Sequence, residues 1–125
     1  MALETLRIYQ ADDVIGHVQR VAPRLQAGIR ALADHPLVGD ARGLGLIGAL
    51  ELAADPATRK PFDPQRGVGA HLVRRAQAHG LILRVLGGDV IAFSPPLVIT
   101  EAQIDELLAK TRLALDDTLA WVRAA

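Results

Sequence analysis

The chain has 125 residues, half of them apolar, with fourteen basic and fourteen acidic side chains and no formal net charge. That length suits one domain with a real core, and the apolar content excludes a disordered chain. Balanced charge and 3% aromatics remove the electrostatic and stacking case for nucleic acid or an anionic membrane surface.

The first segment, "ALETLRIY" (Ala2 to Tyr9), reads as a short helix with Leu3, Leu6 and Tyr9 on one side. A helix beginning at the first methionine, with no capping residue before it, implies a chain cut from something longer. The acids in "MALETLRIYQADD" do not fit a signal peptide. No run reaches the roughly 18 apolar residues of a membrane span. With no cysteine, disulfides and thiolate chemistry are excluded and a reducing compartment fits. The expectation is a cytoplasmic protein.

Asp12 or Asp13 can cap the next helix. Its stripe of Val14, Val18, Val21, Leu25, Ile29 and Leu32 follows the helical period, and Pro23 inside it predicts a kink or a break. "DHP" (Asp34 to Pro36) ends it. In "VGDARGLGLIGALELAAD" the apolar second half reads as a buried strand and the first half as turn. Pro56 to Gln65 is a polar loop. Arg66 to Gly80 reads as a helix with Val68, Leu72, Val73 and Ala76 inward and Gly80 closing its end.

"LILRVLGGDVIAFSPPLVIT" (Leu81 to Thr100) reads as a hairpin: a strand over 81–85, a Gly87-Gly88 turn and a strand over 90–93, stopped by Pro95-Pro96. Thr100 and Gln103 form a capping box for a last helix to about Arg123. Its inner face carries Ile104, Leu107, Leu108, Thr111, Leu115, Leu119 and Val122, and Glu106 pairs with Lys110 at i,i+4. The order α-α-β-α-β-β-α fits an α+β fold: a small, mainly antiparallel three-stranded sheet covered by helices.

The chemistry-bearing residues are sparse. Gly43, Gly45 and Gly48 match GxGxxG, but that fingerprint needs a strand before it and a helix starting on it. Close backbone packing in or before a strand is the simpler reading. His17, His35, His71 and His79 show no metal-ligand spacing and read as solvent-facing or capping. Ser94 in "FSPP" is no nucleophile elbow. Lys60 and Lys110, the only lysines, read as solvated rather than as amines in a desolvated pocket. No catalytic, cofactor-binding or metal-binding residue is expected in the chain.

Arg84 stands apart. Strand alternation puts Ile82 and Arg84 on one face and Leu83 and Val85 on the other. One reading is an edge-strand arginine with its stem on the sheet and its head in water. The other is recognition of a carboxylate, which suits the planar fork of the guanidinium.

"VGDARGLGLIGALEL", "GLILRVLGGDVIAFSPPLVITEAQIDELL" and the preceding "ALETLRIYQ" resemble the C-terminal small domain of class III pyridoxal-phosphate-dependent aminotransferases, over nearly the whole chain. The resemblance implies the small domain of a fold-type I enzyme (residues 1–125 as that single domain). A large domain carrying the cofactor lysine, the pyridine-facing aspartate and the phosphate-binding loop would lie outside it. It implies pyridoxal phosphate in the complete enzyme, none held by this chain alone, and no transamination by the chain alone. The implied partners are the large domain, a second subunit in a dimer, and an amino donor with a keto acid.

In members resembling ω-amino acid:pyruvate and amine:pyruvate transaminases, an arginine at the position of Arg84 pairs with the substrate carboxylate and swings away for apolar amines. Members resembling ornithine aminotransferase carry that arginine on the second strand, at the position of Ala92. The chain therefore resembles the ω-transaminase branch. It departs from that branch in "LGGD", where one glycine is usual, and the extra residue bears on the register of Arg84. Two other readings stand beside this one. They are a non-catalytic remnant acting through packing or dimerisation, and a stand-alone anion-binding or amino-acid-binding domain around Arg84.

Overall fold

A computed structural model describes residues 1–124. Helices α1 (Ala2–Ala11) and α2 (Val14–Ala31) are followed by strands β1 (Val38–Leu44) and β2 (Ile47–Leu52). Helix α3 (Val68–Ala78), strands β3 (Arg84–Leu86) and β4 (Val90–Phe93), and helix α4 (Glu101–Ala124) complete the order. The strands form one antiparallel sheet in the order β1-β2-β4-β3. This is the expected α+β fold with a fourth strand.

That fourth strand is β1, read from sequence as turn. Its alternation is polar because Asp40 and Arg42 face away from the core, where Arg42 pairs with Asp40 at 2.8 Å and Glu51 at 2.9 Å. Gly45, at φ +61°, makes the tight connection to β2. "GLGLIG" is thus a hairpin, with Gly43 directly opposite Gly48. It opens no helix, so the dinucleotide geometry is absent.

All the packed helices lie on one side of the sheet. Helix α2 packs on β1, β2 and α4, and α3 packs on α4, β3 and β4. Leu25, Ile29, Leu50, Leu72, Ile91, Phe93, Ile104 and Leu115 form the core between these layers. The α2 stripe is buried as its spacing requires, with Val18 half-buried. The helix is unbroken through Pro23, which lies on its exposed side. Solvent can satisfy the carbonyl left unpaired there. The expected side-chain cap is not formed. Asp13 takes the N-cap position in the left-handed region, and its carboxylate turns to Arg20.

The other termini follow their sequence signals. Gly80 has φ +86°, its N–H donates to Gln77 and the N–H of Leu81 donates to Ala76, a Schellman closure of α3. At α4 the capping box is complete: Gln103 N–H donates to Thr100 Oγ1 at 3.2 Å and Thr100 N–H to Gln103 Oε1 at 3.0 Å. The inner face of α4 differs in detail. Thr118 and Ala114 are fully buried, while Leu108, Leu119 and Val122 are only partly covered. The hydroxyls of Thr111 and Thr118 donate to Leu107 and Ala114 carbonyls within the helix, so small polar residues enter the core without an unmet bond.

Two surfaces stay bare. Helix α1 buries no residue, and Leu3, Leu6, Ile8 and Tyr9 are exposed on it. The outer sheet face and its edge expose Leu44, Ile47, Ile82 and Leu86, with Ile82 at 86%. No helix among the described residues is long and apolar enough to cross a membrane.

Candidate functional site

The β3-β4 hairpin places the one sequence-named site residue. Its loop is Gly87-Gly88-Asp89, between the closing pair Leu86 and Val90. Gly88 and Asp89 lie at φ +80° and +56°, where glycine and aspartate are among the least strained residues. The two glycines lie in this loop, outside the ladder, which pairs Arg84 with Ala92, Val85 with Ile91 and Leu86 with Val90. Leu83 is buried and Val85 half-buried, while Ile82 and Arg84 are exposed. The alternation expected from sequence is the one observed, although the ladder is shorter, covering 84–86 rather than 81–85.

On the outer face the pairing runs through all four strands as one row: Arg42 opposite Ala49, Ala49 opposite Ala92, Ala92 opposite Arg84. Two alanines therefore separate two arginines, and the strands holding those arginines lie three spacings apart, about 14 Å. Arg42 is held by Asp40 and Glu51, and their hydrogen bonds are the main cause of its raised pKa. Arg84 has no ion-pair partner among the described residues. Beside it lies a groove of about 630 Å³ between the hairpin and α4, lined in part by Leu83, Arg84, Phe93, Ser94, Gln103 and Lys110. A charged planar fork above small side chains, at an uncovered edge, can take a carboxylate in two parallel hydrogen bonds.

The four histidines have structural partners. His17 bonds the Ile99 carbonyl at 2.7 Å. His35, expected to be solvent-facing or capping, is 4% exposed. Its Nδ1 accepts from Leu37 N–H at 3.2 Å and its Nε2 lies 3.0 Å from Asp116, which assigns the proton to Nε2. It joins the turn before β1 to α4, a long-range role that local spacing does not signal. His79 and Arg75 both bond Asp117, at 2.8 and 3.1 Å. His71 stacks on Trp121 with ring centroids 4.1 Å apart. The described residues contain no cluster able to hold a metal. Ser94 and Lys60 are exposed.

Pyridoxal phosphate asks for an amine free to condense with its aldehyde in a desolvated pocket. Lys110 is ion-paired to Glu106 at 2.6 Å, and Lys60 lies in an exposed polar loop. Neither lysine fits the group, so no step through it is assigned to these residues.

Sequence reasoning missed Asp89 and Gln26. The carboxylate of Asp89 accepts from Gly69 N–H at 3.0 Å, joining the hairpin tip to the start of α3. Gln26, buried on α2, donates to the carbonyls of Gly45 and Ile47 at the turn between β1 and β2. "GGD" was a visible turn signal for the first. The second had only its polar identity within a buried stripe.

A two-layer α+β unit with a bare sheet face bearing Arg84 is therefore the object to compare with known proteins. Residues 1–115 match the family model described as Aminotransferase class-III. The chain is 46% identical over 125 residues to a putrescine–pyruvate aminotransferase of Pseudomonas aeruginosa, covering 99% of this chain and 27% of that protein. It is 41% identical over 118 residues to the chloroplastic gamma aminobutyrate transaminase 3 of Solanum lycopersicum, covering 94% and 22%. Among solved structures, an omega-transferase from Vibrio fluvialis superposes with TM-score 0.94 at 35% identity, covering 99% of this chain and 29% of that one.

The chain belongs to the class III aminotransferase family. It spans roughly a quarter of the length of these relatives.

Proposed function

We propose that the chain is the C-terminal small domain of a class III aminotransferase of the amine or ω-amino acid:pyruvate type, and that Arg84 receives the substrate carboxylate. Pyridoxal phosphate, the catalytic lysine, the large domain and a second subunit belong to the rest of that enzyme. The observation carrying this reading is Arg84 itself, unpaired on the uncovered sheet face with only Ala92 opposite.

When bound, the cofactor supplies the electron sink for moving an amino group. The chain's own part is binding and orientation. The Arg84 guanidinium takes the carboxylate of pyruvate or of an ω-amino acid. Once the rest of the enzyme covers this face, a fixed guanidinium facing an apolar amine would be an unpaired buried charge, which is costly. Its position on a three-residue edge strand leaves it free to turn to solvent when no carboxylate is present.

The test uses a working aminotransferase carrying this chain as its C-terminal segment. Arg84→Ala should lower kcat/KM for pyruvate about 10- to 100-fold, the loss of a charge-assisted bond worth roughly 1.5–3 kcal/mol. Simple amines should be nearly unaffected. Equal losses for both classes overturn the role of Arg84.

The exposed apolar residues of α1 support a second reading, a non-catalytic packing or dimerisation module. Sedimentation velocity on the 125-residue chain across a hundredfold dilution tests it. Concentration-dependent dimers support that reading, and a monomer throughout counts against it.

A further inference from the structure

The hairpin that presents Arg84 has weak local support. Strand β3 is three residues long, pairs only with β4 and forms the sheet edge. Its loop contains two consecutive glycines, which leave the unfolded segment with many conformations to lose. The position of Arg84 must therefore be fixed from outside the ladder.

Two contacts do this, and both fall on Gly69 in the first turn of α3. The carboxylate oxygen Oδ1 of Asp89 accepts the Gly69 N–H at 3.0 Å, one of the amide donors that a helix leaves unpaired at its start. Val85, the next residue after Arg84, packs against the same glycine. A Cβ built on Gly69 would come within 2.6 Å of Val85 Cγ2 and 2.9 Å of Asp89 Oδ1. The missing side chain is the seat into which the hairpin fits. The Asp89 carbonyl also accepts from Leu52 N–H at 3.1 Å, tying the tip to the end of β2. Asp89 thus joins α3, β2 and the hairpin from one left-handed residue, while Arg84 projects from the opposite face.

We propose that Asp89, seated on Gly69, is a positioning residue that sets the location of Arg84 and hence the preference for carboxylate-bearing substrates. This rests on the reading of Arg84 given above. Asp89 does not touch substrate. It acts by fixing the hairpin, since a displacement of about 1 Å in a positioning group can cost on the order of a hundredfold in rate.

The experiment has two arms. In the enzyme carrying this chain, Asp89→Ala should reduce kcat/KM for pyruvate about tenfold, mainly through KM, and leave simple amines unchanged. Asp89→Asn keeps an oxygen acceptor and tolerates the left-handed backbone, so it should restore wild-type values. Gly69→Ala should reproduce the alanine defect. In an Arg84→Ala background, Asp89→Ala should cause no further loss toward pyruvate. An additive loss, or an equal loss for amines, overturns the positioning role.

The second arm uses the 125-residue chain, with no substrate. Amide exchange at Gly69 and in the hairpin should accelerate in Asp89→Ala and not in Asp89→Asn. Unchanged exchange overturns the tie itself. If Arg84→Ala leaves pyruvate turnover intact, the carboxylate reading fails through that variant alone, and the exchange data still decide whether Asp89 holds the hairpin.

Discussion

Arg84 and Ala92 are directly opposed across β3 and β4, on the outer face of the sheet. The resemblance drawn from the sequence implies that different branches of the family carry the carboxylate arginine at one or the other of these two positions. Directly opposed residues on one face have Cβ atoms about 5 Å apart, well within the reach of a guanidinium. An arginine at either position would therefore deliver its fork to nearly the same point, and the alanine at position 92 leaves space for the side chain from position 84.

This geometry predicts a functional exchange. In the enzyme carrying the chain, Arg84→Ala should lose pyruvate activity, and adding Ala92→Arg should recover a substantial part of it, because opposed positions on one face lie within a guanidinium's reach of a common point. Steady-state kcat/KM for pyruvate and for a simple ketone measures this. A double variant no better than Arg84→Ala would show that the two positions do not reach a common point.

The glycine pair at the other end of the sheet makes a stability prediction. A Cβ on Gly48 would collide with Ile29 Cδ1, where α2 rests on the β1-β2 hairpin. Gly48→Ala should cost about 1–3 kcal/mol by overpacking. Ile29→Val removes the clashing methyl and alone should cost roughly 0.5–1.5 kcal/mol. Combined, the two should cost less than their sum. Urea denaturation of all four chains gives the coupling, and strict additivity would mean that the glycine is not there for this contact.

Gly80 directs the chain from α3 toward β3. Its φ of +86° disfavours any side chain, and a Cβ there would lie 3.2 Å from Lys110 Nζ. Gly80→Ala should lose roughly 1–2 kcal/mol for the left-handed backbone, with the flexible lysine giving way. A midpoint of unfolding equal to that of the wild-type chain would contradict this.

What the sequence disclosed follows from the range of the interactions. Local signals were legible: the Thr100–Gln103 box, the Gly80 closure and the α2 stripe all involve residues within a few positions of one another. Strand β1 was not legible, because its outward face carries Asp40 and Arg42, with Arg42 paired to Glu51 on the next strand, and Gly43 makes room for Gln26 of the distant helix α2. Pro23 misled because an exposed helical position tolerates the lost bond. Arg84 was visible as a charge among apolar residues. Asp89 was not, since its partner Gly69 lies twenty residues away and only the fold brings them together.

His71 contributes to the pH dependence of stability. Its imidazole stacks on Trp121, with rings within 7° of parallel, and its pKa lies below the ordinary histidine value. Burial is the main cause, the charges of Arg74 and Arg75 act in the same direction, and Asp117 opposes them. The folded chain therefore binds this proton less readily than the unfolded chain. The stabilising effect is complete above the unfolded value of about 6.5 and declines as pH falls below it. Asp117 and Asp105 have lowered pKa values, so their stabilising effects are lost in a separate window below the usual carboxylate range. His71→Phe keeps an aromatic ring against Trp121 and removes the titration. Urea midpoints at pH 7.5 and 5.5 should differ less for His71→Phe than for the wild-type chain, the wild type losing more stability at the lower pH. Equal differences in the two chains would place the acid sensitivity elsewhere.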